Sequence, residues 1–336
     1  MNLQLLNFPE HVKTDIEERL NLVFNSGFWS TGPESQNLED NFLKIYGRDC
    51  ISTSSGGTAL QLLHDSFKNI KRIAIQSNTY FATALPWINS SAEILLLGSR
   101  KDSLMPSLEF VKAAIEKNPD AVILTHIGGY PNPEISKIAE LCKKKNILLF
   151  EDCAHSPLVK INNQYVGTFG DAAILSFFPT KPIPAGEGGM IIIKDSSKAI
   201  EIRKIRNYGK FIDKKGATKH FLPAFPNARL NEYSATIANS VLKHYSYLLN
   251  LKIKIANFYD SKIDDDLILS SIYNADTNTQ FSYYKYISFL KDSKFKTAQV
   301  YDHHNQLISI LKDNNISYKF YGEEEYSRNH ICLPIT

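Results

Sequence analysis

Across residues 51–190, short apolar runs alternate with longer stretches whose apolar residues recur every three or four positions. Gly56-Gly57-Thr58 opens a stripe through Leu60, Leu63 and Phe67, a spacing that predicts a helix. The pattern then predicts a strand over 72–76, a helix over 81–88 and a strand over 93–97. Leu108, Val111 and Ile115 mark the next helix, ahead of a strand over 121–125. Ile135, Ile138, Ala139 and Leu141 mark another, ahead of a strand over 147–150, and 172–178 reads as one more apolar run. Strands alternating with helices imply a mainly parallel sheet covered on both faces. Ligands bind such sheets at the carboxyl ends of the strands. The loops carrying Gly57, Tyr80, Asp152 and Lys181 all fall at or just after such ends.

A long helical pattern follows over 231–249, and then the chain changes character. Residues 281–289 predict a strand, 302–311 a helix and 318–321 another strand. The expected fold class is α/β, with a large, mainly parallel sheet domain (1–240) and a smaller α+β C-terminal domain (241–336). The N-terminal segment is able to pack with the smaller part. No internal repeat or low-complexity linker interrupts this scheme.

Composition narrows the function. The 38 basic against 35 acidic residues leave a formal charge of +3, too weak to suggest nucleic acid. The run Lys143-Lys144-Lys145 sits near a helix end, where cations suit the dipole, and reads as solvated surface. The N-terminus lacks the basic start and apolar stretch of a secretory signal. No apolar run reaches membrane-spanning length. Cys50, Cys142, Cys153 and Cys332 form no CxxC pair, which suits reduced thiols in the cytoplasm.

The most telling residue is Lys181, between an apolar run and the turn Gly186-Glu-Gly-Gly189. A second constellation, Glu151-Asp152-Cys-Ala-His155, ends another apolar run. A lysine and a carboxylate at neighbouring strand ends are what a pyridoxal 5′-phosphate (PLP) site needs. The amine forms a Schiff base, and the carboxylate keeps the pyridine nitrogen protonated. Gly57-Thr58 at a helix start offers N–H groups to a phosphate, though a glycine pair alone reads better as an ordinary turn and N-cap. Ser176 could add a hydroxyl. Taken alone, Asp152 suits a cap or salt bridge, His155 either a ring hydroxyl's partner or a core histidine, and Tyr80 core packing ahead of stacking on a cofactor ring. Glu151, Asp152 and His155 could in principle hold a metal, but no second histidine stands at ligand spacing, so no metal is expected. His303-His304 reads as surface. The glycine run is not a dinucleotide fingerprint, and no GxxxxGK[ST] or GxSxG occurs.

Together these segments resemble the DegT/DnrJ/EryC1/StrS family of PLP-dependent sugar aminotransferases, which have the fold-type I, aspartate aminotransferase-like architecture. The SF-x-x-x-K-x-x-x-x-GEGG motif appears as Ser176-Phe177 to Lys181 to Gly186-Glu-Gly-Gly189. ED-x-A-[QH] appears at Glu151 to His155 and TF-x-AT as Thr79-Tyr80-Phe-Ala-Thr83. R-N-x-G appears at Arg206 to Gly209, and N-x-R-hydrophobic-x-E as Asn227-Ala-Arg229-Leu-Asn-Glu232. The likeness runs from about Trp29-Ser-Thr-Gly32-Pro33 to Ser240 and fades afterward. It implies that Lys181 is the Schiff-base lysine and that Asp152 pairs the pyridine nitrogen. His155 would lie by the ring hydroxyl, and Tyr80 would stack on the ring. Gly57, Thr58 and Ser176 would hold the phosphate. Asn227 would reach the phosphate of the neighbouring subunit's cofactor, because family sites are built at a homodimer interface.

The implied reaction moves an amine from an amino acid, glutamate in the family, to a keto sugar, nucleotide-linked. Such amino sugars serve cell-surface glycans, O-antigen among them, or secondary metabolites. Some relatives are sugar dehydratases with histidine at the lysine position, and Lys181 argues against that branch. A cyclitol acceptor remains open, as does an idle homologue serving regulation or assembly. Three departures bear on the substrate and the phosphate. The phosphate turn reads Ser55-Gly56-Gly57-Thr58 where the family has [SN]-G-T-x. The late tyrosine/proline/histidine loop is replaced by a short passage from Tyr318-Lys-Phe-Tyr321 into Gly-Glu-Glu-Glu-Tyr. The sequence ends at Thr336, just past the Leu-Pro that normally precedes a final helix.

Overall fold

The structure, a computed structural model, describes residues 7–100, 103–222, 224–262, 268–271, 278–290, 303–322, 330–333 and 335. It is mixed α/β with a large, mostly parallel sheet, and it divides into two compact units. One unit comprises residues 1–68 and 171–248, the other 69–170 and 249–335.

In the second unit the strands Arg72–Gln76, Glu93–Leu97, Ala121–Thr125 and Leu148–Asp152 pair in parallel. Three of them match the predicted bounds, because their apolar runs are continuous and buried on both faces. The fourth runs two residues further than its apolar stretch, ending on Glu151 and Asp152, which are buried at the carboxyl end. The helix expected over 81–88 is instead a short 3-10 turn, Phe81–Thr83, followed by Leu85–Asn89. Pro86 sits in the first turn of that second helix, where its missing N–H costs nothing.

Two late elements differ from expectation. Tyr318–Tyr321 forms the predicted strand but pairs in parallel with Glu93–Leu97, extending the large sheet. Residues 281–285 are not strand: Tyr286–Leu290 is, between Ile268–Ser271 and His330–Leu333 in an antiparallel sheet. The helix expected from 302 is His303–Asp313. Residue 302 and most of the late segment, 323–329, lie outside the described residues.

In the first unit, Gly189–Ile193 lies antiparallel between Asp49–Thr53 and Ala172–Ser176, with Gly189 opposite both Thr53 and Ser176. The helices Pro33–Tyr46, Gly56–Ser66, Ser196–Ile205 and Glu232–Lys243 belong to the same unit. The pattern over 231–249 resolves into Glu232–Lys243 and a second helix, Tyr245–Lys262. Two motif residues do structural work here. Glu232 is fully buried and accepts from the N–H groups of Glu34 (2.7 Å) and Ser35 (3.1 Å), capping the Pro33–Tyr46 helix from 198 positions away. Arg206 donates to Glu39 Oε1 (2.7 Å) and to the Ser52 carbonyl (2.7 Å).

Glu39 is buried beneath the Asp49–Thr53 strand and also accepts from Arg203 and from the Ser52 N–H (2.9 Å). Burial raises its carboxyl, but the charges of Arg206 and Arg203 outweigh that and hold it below the usual range. A depressed carboxyl contributes stability that is fully present above its unfolded value, about 4.3, and is lost as pH falls through the lower folded value. Glu39→Gln is therefore expected to lower Tm at neutral pH and to flatten the acid limb of the stability curve. Parallel acid limbs for the two proteins in thermal melts would remove Glu39 from this role.

Candidate active site

The residues singled out in the sequence fall into two clusters, one in each unit. In the second unit the strand end presents Asp152, only 4% exposed. Its Oδ2 accepts from the Thr83 hydroxyl (2.7 Å) and its Oδ1 from the Ala154 N–H (3.0 Å). Thr83 contacts the Thr79 hydroxyl (2.8 Å), which contacts the Thr125 hydroxyl (2.6 Å). The proton order follows from the end of the row. Thr83 spends its proton on the carboxylate, so Thr79 must donate to Thr83, and Thr125 to Thr79. Three buried hydroxyl dipoles thus point the same way, toward Asp152, and such chains reinforce one another. The TF-x-AT motif is therefore partly a carboxylate-orienting device. Motif spacing marks none of Thr79, Thr83 and Thr125 as a site residue; the signal in the sequence is threonines four apart beside a strand that ends in threonine. Tyr80, between the two motif threonines, is 53% exposed, against the core packing its sequence context suggests.

Glu151 points into the interior and serves the fold. It accepts from the Gly167 (2.8 Å), Phe169 (2.9 Å) and Gly170 (2.8 Å) N–H groups and from His126 Nε2 (3.0 Å). His126 Nδ1 accepts from the Asn132 N–H (3.0 Å), which places the histidine proton on Nε2. His126, Glu151 and Cys153 bring ligand-type atoms within 4.8 Å of one another. Four hydrogen bonds occupy the carboxylate, however, and burial, followed by Glu151 and Asp152, pushes the Cys153 thiol well up. This group closes the 166–170 turn.

His155 is buried, and its Nδ1 accepts from the Gly128 N–H (3.4 Å), leaving Nε2 as the protonated nitrogen. Its ring stacks on Tyr284, with centroids 4.4 Å apart and planes at 22°.

The first unit carries the other cluster. Ser55 caps the Gly56–Ser66 helix by accepting from the Thr58 N–H (3.0 Å). The Thr58 hydroxyl turns back to Ser55 (2.8 Å) and Ser54 (3.1 Å). Gly57 is exposed at the helix start. A methyl group on Gly56 would come within 3.0 Å of Ser176 Cβ and 3.3 Å of its Oγ, so glycine there lets the Ser176 hydroxyl close onto the helix N-terminus. A methyl on Gly189 would lie 2.6 Å from the Ser55 carbonyl and 2.7 Å from the Gly56 nitrogen, backbone atoms that cannot yield. The glycine of the GEGG run thus presses the cap turn against the strand that ends in Ser176. The helix start and the Ser176 hydroxyl thus lie side by side, a candidate phosphate cradle whose donor types fit the phosphate of PLP.

Lys181, partly exposed, rides on the loop beyond this strand. Buried Phe177 closes the loop at both ends, donating to the Gly188 carbonyl (2.8 Å) and accepting from the Ala185 N–H (2.8 Å). The Lys181 N–H turns back to Phe178 (2.9 Å). Asn227 is exposed, with its Oδ1 accepting from the Arg229 N–H (3.1 Å), and the next carbonyl, Ala228, holds the Ser54 N–H (2.9 Å).

These features define an α/β protein whose motif residues are of the types a PLP site needs. The chain belongs to the DegT/DnrJ/EryC1/StrS aminotransferase family, whose model matches residues 10–328; its enzymes are PLP-dependent. GDP-perosamine synthase of Vibrio cholerae is 28% identical over 301 residues, 88% of this chain and 79% of that protein. Among solved structures, the aminotransferase TlmJ from Streptoalloteichus hindustanus superposes with a TM-score of 0.82 at 21% identity, covering 98% of this chain and 91% of that one. The Escherichia coli GDP-4-keto-6-deoxy-D-mannose-3-dehydratase, solved with hydrated PLP, gives 0.83 at 20% identity, covering 98% and 93%. A transferase and a dehydratase match equally well, so the fold alone does not select the reaction. No helix among the described residues is long and apolar enough to cross a membrane.

The Gly189 contact yields a direct test. Gly189→Ala forces the cap turn away from the sheet and is expected to cost about 3 kcal/mol, the upper range for overpacking. PLP affinity should fall more than tenfold, measured by fluorescence titration. Unchanged melting and unchanged affinity would show that the close approach does not shape the cradle.

Proposed function

We propose that this chain is a cytoplasmic, homodimeric PLP-dependent aminotransferase that moves an amine, from glutamate, onto the keto carbon of a nucleotide-linked sugar in amino-sugar biosynthesis. The name of the Vibrio relative supports a nucleotide-linked acceptor. The observation that carries the reading is Lys181 itself, on a loop pinned at both ends by Phe177, in the same unit as the phosphate cradle. Dehydratase relatives have histidine at this position.

Bound PLP supplies an electron-withdrawing pyridinium ring that acidifies the C–H of an amine-bearing carbon. The remaining work falls to the chain. The helix N-terminus at Gly57 and Thr58, with the Ser176 hydroxyl, would hold the phosphate. Asp152, oriented by the threonine row, would keep a proton on the pyridine nitrogen. His155 would offer Nε2–H to the ring hydroxyl, and Tyr80 would cover a ring face. Lys181, once its amine is released and neutral, would serve as the base that moves the substrate's proton. Asn227 would reach the partner's phosphate.

Lys181→Ala is expected to abolish transamination while leaving the fold intact by circular dichroism. Borohydride reduction of the wild-type enzyme with PLP, followed by peptide mapping, should label Lys181. A label on another lysine overturns the assignment.

The shared site has its own test. Mixing Lys181→Ala with Asn227→Ala subunits produces dimers with one doubly impaired site and one intact site. Activity should reappear on mixing. No recovery in dimers shown to have exchanged subunits would place Asn227 outside the partner's site.

A further inference from the structure

Residues 281–285, predicted as strand, instead form a clasp around the site histidine. The Ser282 N–H donates to the Gly129 carbonyl (3.1 Å) and the Lys285 N–H to the Gly128 carbonyl (3.2 Å), so the segment grips the Gly128-Gly129 turn at both ends. The Ser282 hydroxyl donates to the His155 carbonyl (2.7 Å). A methyl on Gly129 would meet Ser282 Oγ at 2.4 Å and the Tyr284 nitrogen at 2.7 Å, so the turn can approach the clasp only as glycine. Behind the clasp, Phe281, Ile287 and Phe289 pack in one buried cluster with Leu104, Met105, Ile127 and Tyr130, which anchors the segment.

Between these pins Tyr284 lies nearly parallel to the His155 ring, and the Lys285 ammonium sits 5.4 Å from the Tyr284 centroid. The Gly128 N–H fixes one edge of the imidazole and chooses its tautomer. That hydrogen bond acts along one edge of the ring. A stacked aromatic acts on the ring plane, because offset parallel rings attract and resist tilting.

We propose that Tyr284 is a positioning residue, holding the His155 imidazole so that its Nε2–H keeps a fixed direction toward the cofactor's ring oxygen. The inference rests on the reading of His155 given above and deepens it. A donor held in place before the ligand arrives costs no reorganisation during reaction, and small misplacements at such a site cost up to about a hundredfold in rate.

Two variants and two readouts test this. Tyr284→Leu keeps an apolar side chain but removes the stack, and Tyr284→Phe restores it. The first readout uses PLP-free protein: 15N-imidazole NMR of His155, assigned with His155→Gln. Wild type and Tyr284→Phe should show one Nε2–H tautomer with ring-current-shifted carbon protons. Tyr284→Leu should lose that shift and show exchange broadening. The second readout is the PLP-loaded enzyme. Tyr284→Leu should lower kcat at least tenfold with KM for the sugar little changed, and should alter the pH dependence of the cofactor's absorption band; Tyr284→Phe should recover most of both. An unchanged His155 spectrum in folded Tyr284→Leu overturns the positioning role. A changed His155 spectrum, with cofactor band and kcat unaffected in both Tyr284→Leu and His155→Gln, overturns instead the placement of His155 at the cofactor, and the proposal falls with it.

Discussion

A buried carboxylate at the end of a parallel strand is the constraint on which this structure turns. Asp152 has little contact with water, so its charge needs compensation. Within its own unit that comes from one backbone N–H and from the row Thr125–Thr79–Thr83. The row is anchored at three places in the chain: the end of one strand, the bend two residues ahead of a 3-10 turn, and the last residue of that turn. It explains why two threonines four apart flank an exposed tyrosine. The turn that points Tyr80 outward is the same turn that points Thr79 and Thr83 inward.

Adjacent residues divide the labour. Glu151 spends all its acceptor capacity on the fold, whereas Asp152 accepts from the threonine row and the Ala154 N–H. Successive residues of a strand point to opposite faces, so a Glu-Asp pair at a strand end sends one carboxylate to each side. The N-x-R-hydrophobic-x-E segment shows the same economy. Glu232 caps a distant helix, the Ala228 carbonyl steadies the cradle turn, and Asn227 stays exposed.

Much of this was legible in the sequence. Continuous apolar runs fixed three strands of the parallel sheet to the residue, since burial on both faces leaves little freedom in composition. Motif spacing marks the lysine loop, the glycine turns and Asp152 as the candidate site, and the fold sets each at a strand end or helix start. What escaped was long-range. Nothing near Tyr318–Tyr321 reveals that it pairs with Glu93–Leu97, because parallel pairing carries no local turn signal. The aromatic run 281–289 reads as strand, yet its first five residues leave the ladder because Gly128-Gly129 and His155 claim their hydrogen bonds. The proton order in the threonine row depends on three contacts that only the fold assembles.

In the function proposed above, Asp152 keeps a proton on the cofactor's pyridine nitrogen. The most direct measurement is the 15N chemical shift of that nitrogen in enzyme loaded with 15N-labelled PLP, compared with Asp152→Asn. The wild-type protein should show a protonated pyridine nitrogen across neutral pH. The variant, still binding PLP, should show an unprotonated one, with turnover lower by orders of magnitude, each ~1.4 kcal/mol of barrier being tenfold. A protonated nitrogen in Asp152→Asn at neutral pH would contradict the role assigned to the carboxylate.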